Sequence, residues 1–134
     1  MNKIVEFLNE NPVQYFATIG LDGKPKVRPF QFMLERNKKL YFCTSNKKEV
    51  FEELKKCPYV EITASSPTFT WMRLSGKAVF ATDIDIKKAI LESSELVKSI
   101  YQTPENPIFE IFYLEDVHAV IADFSGNPPV EYTL

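Results

Sequence analysis

Cysteine, histidine and glycine are scarce in this chain: two Cys, one His and four Gly among 134 residues. Cys43 and Cys57 are not spaced as C-x-x-C, which excludes a zinc ribbon or a thioredoxin-type motif. With no export signal ahead of them, they are expected to be free thiols of a reducing compartment rather than a disulfide. No P-loop, G-x-G-x-x-G fingerprint or zinc pattern occurs. Without a His or a carboxylate pair at useful spacing, no hydrolase triad can be assembled. A dominant charge is missing too, since 16 Lys and Arg against 18 Asp and Glu leave a net charge of -2. That balance gives no global field for nucleic acid or an anionic membrane. Long apolar runs are also absent: stretches such as Ala78 to Ala81 are far too short to span a bilayer. The N-terminal MNKIVEFLNENP lacks the apolar region and small residues of a secretory signal. The expectation is a cytoplasmic protein that binds neither nucleic acid nor membrane.

Apolar and aromatic residues are plentiful. Hydrophobic residues make up 45% and aromatics 13%, enough to bury a core within a single domain over residues 1–134. No repeat, low-complexity tract or linker interrupts it. Ile4, Val5, Phe7 and Leu8 cluster on one helical face, predicting a short helix over 2–11 that Pro12 ends. Residues 13–20 (VQYFATIG) read as a strand, and Asp22-Gly23 as a hairpin turn. Residues 26–34 pair back, Arg36 to Lys39 turn the chain, and 40–44 form a third strand. Ser45 or Asn46 then caps a helix with Val50, Phe51 and Leu54 on its buried stripe, and Glu49 completes a capping-box-like arrangement with Asn46. Cys57-Pro58 ends it. Strands follow at 59–64 and 68–82, the second bent or bulged at Gly76. A helical region beginning at Asp83 or Asp85 closes at Thr103 to Pro107. Two last strands, 108–114 and 117–124, are joined by Glu115-Asp116, and an extended tail starts at Ser125. The sum is mainly β, about seven strands with three short helices. This order favours a small closed or split antiparallel barrel.

One segment carries the candidate chemistry: KVRPFQFMLERNKKLYFCTSNKKEVFEEL, Lys26 to Leu54. Lys47 and Lys48 open its helix. Two cations at a helix start oppose the helix dipole, and a bound anion removes that conflict. Helix N-termini offer N–H groups without partners and so receive phosphates. Thr44, Ser45 and Asn46 add hydroxyl and amide groups at the same strand end. Lysines are commonly only solvated, and opposing the dipole costs about 0.3–1 kcal/mol each, so the phosphate reading rests on this convergence. On the strand before it, alternation puts Arg28, Phe30 and Phe32 on one face and Val27, Pro29, Gln31 and Met33 on the other. Pro29 cannot donate to a ladder, so it marks an edge, a bulge or a place where a ligand meets the backbone.

Further along, Trp71, Arg73, Ser75 and Lys77 share one face opposite Met72, Leu74, Ala78 and Phe80. That composition fits a subunit interface or a ring-stacking wall. His118 lies in a predicted strand, and nothing in the sequence gives it a role beyond a satisfied hydrogen bond. Cys43 has no neighbour that lowers its pKa, so no nucleophile is assigned.

YFATIGLDGKPKVRPF (15–30), KLYFCTSNKKEVFEEL (39–54), CPYVEI (57–62), WMRLSGKAVF (71–80) and IFYLEDVHAVIADFSG (111–126) together resemble the pyridoxamine 5'-phosphate oxidase-like, FMN-binding split-barrel superfamily. Within it, the chain is most similar to the short bacterial nitroimidazole-resistance, NimC/NimA-like branch. Order and spacing of the segments carry the likeness, which covers nearly the whole chain. The resemblance implies a homodimer with FMN at the subunit boundary. It implies that Arg28, Pro29 and Phe30 run under the isoalloxazine ring and that Cys43 and Thr44 lie near the ribityl chain. Lys47 and Lys48 match the Arg-Lys pair that holds the phosphate in the oxidase itself. Trp71 stands where the oxidase has a ring-contacting glutamine. The vitamin oxidases carry a further C-terminal segment that contacts the pyridoxal ring, and no counterpart follows Glu131-Tyr132-Thr133-Leu134. Pyridoxamine 5'-phosphate is therefore not the expected substrate.

The function expected is an FMN-dependent oxidoreductase that passes electrons from a reduced nicotinamide to a small molecule, with Arg28 favouring negative charge on the reduced ring. The alternative is a non-catalytic flavin-binding or redox-sensing protein, since no catalytic acid or base is evident. Haem binding would require His118 as axial ligand. A nucleic-acid barrel stacking bases on Phe30, Phe32, Tyr41 and Trp71 conflicts with the net charge of -2.

Overall fold

The computed structural model describes residues 2–134. In chain order its first half contains α1 (Asn2–Glu10), β1 (Gln14–Ile19), β2 (Pro25–Phe30), β3 (Leu34–Arg36), β4 (Lys39–Ser45), α2 (Glu49–Lys56) and β5 (Tyr59–Ser65). The second half contains β6 (Trp71–Ala81), α3 (Ile84–Ser93), α4 (Glu95–Tyr101), β7 (Phe109–Ala122) and β8 (Val130–Thr133). All strands pair antiparallel in one eight-stranded sheet of order β2-β1-β5-β6-β7-β4-β3, with β8 added beside β7. The sheet curls on itself. Phe16 of β1 meets Phe42 of β4 and Phe112 of β7 edge-to-face at centroid distances of 5.7 and 5.8 Å, although β1 and β4 lie near opposite ends of the strand order. This aromatic cluster, with Ile4, Leu8, Ile62, Met72 and Leu74, fills the interior, and the result is the split antiparallel barrel expected from the sequence. Rings packed edge-to-face add to the burial energy. A second core joins α3 and α4 to the outer side of β4 and β7 through Ile86, Ile90, Tyr101, Tyr41 and Phe109.

Several boundaries differ from the sequence reading. The segment 26–34 is not one strand, because β2 stops at Phe30. Buried Gln14 intervenes: its Oε1 accepts the Phe32 N–H at 2.6 Å while its Nε2 donates to Leu8 and Asn11 carbonyls. A side chain thus takes the donor that a continuing ladder would use. Conversely, 108–124 is a single strand, β7. Glu115-Asp116 makes no turn there. Asp116 and Val117 together oppose Gly76, and Asp116 has φ +52°. The bulge predicted at Gly76 exists, with its extra residue on the facing strand. A Cβ on Gly76 would lie 3.2 Å from the Glu115 carbonyl oxygen, tighter than ordinary contact, so the close strand approach favours glycine. The helical region after Asp83 is two helices. Asp83 caps α3 by accepting from the Asp85 and Ile86 N–H groups, and Ser94 caps α4 by accepting from Val97 at 3.2 Å. The count is therefore eight strands and four helices. Among the described residues no helix is long and apolar enough to cross a membrane. Cys43 and Cys57 are both free thiols.

Candidate functional site

β2 is the edge strand of the sheet, which accounts for Pro29 within it. Its free side carries backbone groups with no partner strand. Two adjoining hollows meet along its Pro29-Phe30 end. An apolar lobe of about 320 Å³ is lined by Phe30, Met33, Cys43, Val97, Ile100 and Tyr101, among others. A polar lobe of about 390 Å³ is lined by Lys26, Arg28, Glu49, Val50 and Glu53. Pro29, Phe30 and Lys48 line both lobes, so the two form one groove. α4 supplies the outer wall of the apolar lobe, where Leu96 and Ile100 remain 67% and 56% exposed.

The groove's centre is the start of α2. The sequence predicts Ser45 or Asn46 as its cap, and this is corrected by the structure: α2 begins at Glu49, Lys48 occupies the N-cap position, and among the described residues no side chain caps it. Asn46 is used elsewhere, its Nδ2 donating to the Pro107 carbonyl at 2.8 Å and to Glu110 Oε2 at 2.9 Å. Ser45 Oγ accepts the Lys47 N–H at 3.1 Å, and the Ser45 carbonyl accepts the Lys48 N–H at 3.1 Å. These contacts hold 45–48 as a turn that delivers Lys48 to the seam of the groove. An uncapped helix start leaves backbone donors available to an anion.

Arg28 does not present a free charge. Its Nη2 donates to Glu53 Oε1 at 2.7 Å, and its Nη1 to Thr18 Oγ1 at 2.8 Å and to the Phe16 carbonyl at 3.1 Å. Thr18 Oγ1 in turn donates to Glu53 Oε1 at 2.7 Å. Glu53 is 1% exposed and falls on the buried face of α2 with Val50 and Leu54. The sequence analysis missed it. The available signal was an acid at a buried helical position, which demands a partner.

Cys43 and Thr44 are adjacent in β4 and so face opposite ways. Cys43 lines the apolar lobe. Burial pushes its thiol up to about 12, with the Lys48 ammonium pulling weakly the other way. Burial, aided by Cys43, pushes Tyr101 up to about 12 as well. Both stay protonated near neutrality, so neither is a nucleophile or base there. Thr44 is 2% exposed and lines neither lobe, and its Oγ1 has no hydrogen-bond partner among the described residues. Lys47 is exposed beside Lys48. Trp71 is not brought to this groove. It stands at the far end of β6, on the outer face beside Arg73, whose guanidinium lies 5.9 Å from its ring centre. His118 is also outside the groove, 3.7 Å from Glu131 on β8. Among the described residues no cluster of His, Cys, Asp or Glu could hold a metal.

A groove with a charged polar end, an uncapped helix start and an apolar end offers separate surfaces to an anionic and an apolar part of one molecule. Comparison with known proteins agrees with that geometry. The sequence model of the pyridoxamine 5'-phosphate oxidase family matches residues 1–115. The chain belongs to this family. A NimC/NimA family protein from Clostridium acetobutylicum is 30% identical over 100% of this chain and 92% of its own, with TM-score 0.92. A pyridoxamine 5'-phosphate oxidase-related, FMN-binding protein from Nostoc punctiforme shares the fold at 19% identity and TM-score 0.73, over 98% of this chain and 87% of its own. A haem-binding protein from Mycobacterium smegmatis shares it at 18% identity and TM-score 0.74, over 93% of this chain and 54% of its own. No protein of curated function matches. Membership of the family supports flavin binding by this chain.

Proposed function

We propose that this chain binds FMN along β2 and acts as an FMN-dependent oxidoreductase on a small molecule, with a reduced nicotinamide as donor. The observation that carries the reading is the continuity of the two lobes through Pro29, Phe30 and Lys48. The phosphate belongs in the polar lobe, where Lys48 and the uncapped first turn of α2 supply charge and donors, with exposed Lys47 next to them in the chain. The ring belongs against Pro29, Phe30 and Cys43. When bound, FMN supplies the two-electron chemistry. The protein's own residues position it and exclude water: among the described residues lining the apolar lobe, Lys48 is the one charged side chain.

The assembly proposed is a homodimer. The outer face of the sheet leaves Tyr15, Val27 and Tyr59 at 48%, 66% and 64% exposure, on adjacent strands that lead to Arg73 and Trp71. An apolar face rimmed by Trp and Arg has the composition of an interface. Trp71 is then a ring contact only across that interface. The haem alternative gains nothing from the groove, because His118 does not line it and lies 3.7 Å from Glu131.

Purified protein titrated with FMN should bind it stoichiometrically, and mass spectrometry of the released chromophore should return FMN. A folded protein that stays colourless in excess FMN overturns the reading. Rapid anaerobic mixing with NADH and NADPH separates an enzyme from a carrier: bleaching of the flavin supports catalysis, and an unreduced flavin with every donor supports the carrier.

A further inference from the structure

The polar lobe contains a charge pair that the cofactor reading leaves unexplained. Family resemblance puts Arg28 among the flavin contacts, yet its guanidinium is bound inward by Glu53, Thr18 and the Phe16 carbonyl. Resting on the FMN reading above, we propose that Arg28 and Glu53 form a self-neutralised strut, so that the ligand phosphate is read by lysines and the start of α2 and not by Arg28, and that Glu53, by holding Arg28 inward, limits how tightly the phosphate is held.

Geometry supports each half of this statement. Glu53 is 1% exposed and the Arg28 side chain 24%, so the pair is poorly screened and strongly coupled. Thr18 bridges the two by accepting from Arg28 and donating to Glu53. The pair ties α2 to the middle of β2. Lys26, Lys48, Glu49 and Glu53 line the same lobe, so with Glu53 holding Arg28 the cations left to a phosphate there are lysines. Were Arg28 a phosphate ligand, it would have to abandon a buried carboxylate, which is costly. A lysine pair at a helix start has no such competitor.

The experiment is a double-mutant cycle on FMN affinity, read by quenching of flavin fluorescence at several salt concentrations, with folding checked by thermal melts. Glu53→Gln keeps the shape and releases the Arg28 charge. FMN should bind roughly fivefold more tightly, with a steeper loss in salt. Arg28→Gln leaves Glu53 unpaired in the lobe and should weaken FMN by about tenfold or more. The pair Arg28→Gln with Glu53→Gln restores neutrality and should return within about threefold of the wild type. If Arg28→Gln does not fold, Glu53→Gln and the double variant decide the matter together. A folded double variant that loses FMN about tenfold or more, as a direct phosphate ligand would, overturns the proposal. So does a folded Glu53→Gln protein that binds FMN more weakly than the wild type. Wild-type protein that takes up no FMN overturns the cofactor reading along with it, whereas tight wild-type binding with a failed double variant overturns the strut alone.

Discussion

The Asn46 side chain bridges 64 positions of sequence to reach Glu110 at 2.9 Å, and this contact leaves α2 without its expected cap. Asn46 also donates to the Pro107 carbonyl, so one amide fastens the end of β4 to the entry of β7. Replacing it by Ala removes both bonds from a partly buried site. The expected loss is about 1–2 kcal/mol of stability, read as a fall in calorimetric melting temperature of about 2–6 °C. A variant that melts with the wild type would show that the bridge contributes nothing.

Lys47 and Lys48 are expected to act on FMN binding and on stability in opposite directions. Both cations stand at the positive end of the α2 dipole, so replacing both by Ala should leave the unliganded fold unchanged or slightly more stable. FMN affinity should fall at least about thirtyfold, because two charge-assisted contacts disappear. Equilibrium dialysis and a thermal melt on the same sample check both halves. Full FMN occupancy in the double variant would refute the phosphate assignment.

The Thr44 hydroxyl is buried without a partner, a condition that costs about 1–3 kcal/mol when no ligand or water reaches it. Thr44→Val keeps the shape and removes the orphan. In the absence of ligand the variant should be as stable as the wild type or more so. If FMN or its ordered water satisfies the hydroxyl, the variant should bind FMN several-fold more weakly. Urea midpoints with and without FMN separate the two effects, and a destabilised unliganded variant would show that Oγ1 already has a partner.

Alkaline pH should destabilise the protein through the groove itself. Folding raises Cys43 from 9.0 to about 12 and Tyr101 from 10.0 to about 12. The unfolded chain therefore gives up these protons first, so their contribution is intact below pH 9.0 and is lost as the pH rises towards 12. Cys43→Ala removes the thiol's share, and its urea midpoint should fall less than the wild type's between neutral pH and about pH 10.5. Parallel curves for the two proteins would contradict the burial of this thiol. Iodoacetamide near neutrality should accordingly leave Cys43 unmodified.

Local signals were legible where one physical rule acted alone. Alternation on β6 correctly separated buried Met72 and Leu74 from exposed Arg73. Asp22-Gly23 made its turn, with Gly23 at φ +80°. Pro29 marked an edge strand. Reading failed where a distant group claimed a local donor or acceptor. Gln14 took the Phe32 N–H and ended β2, Glu110 took the Asn46 amide and uncapped α2, and Gly76 let β7 run through what looked like a turn. The lysine pair could be nominated from sequence because a charge pattern at a helix start is local. Glu53 was missed because its partners, Thr18 and Arg28, lie 35 and 25 residues away.

By itself, the sequence determined the hydrophobic periodicities, the turn residues and the placing of two ammonium groups where a strand gives way to a helix. These depend on neighbours within a few positions along the chain. Tertiary structure alone decided that Arg28 is neutralised, that the helix start stays open, and that β2 borders a groove with one apolar and one charged lobe. Each of these depends on groups brought together by closing the barrel, where burial makes an unpaired charge or donor costly and so dictates which distant partner it takes.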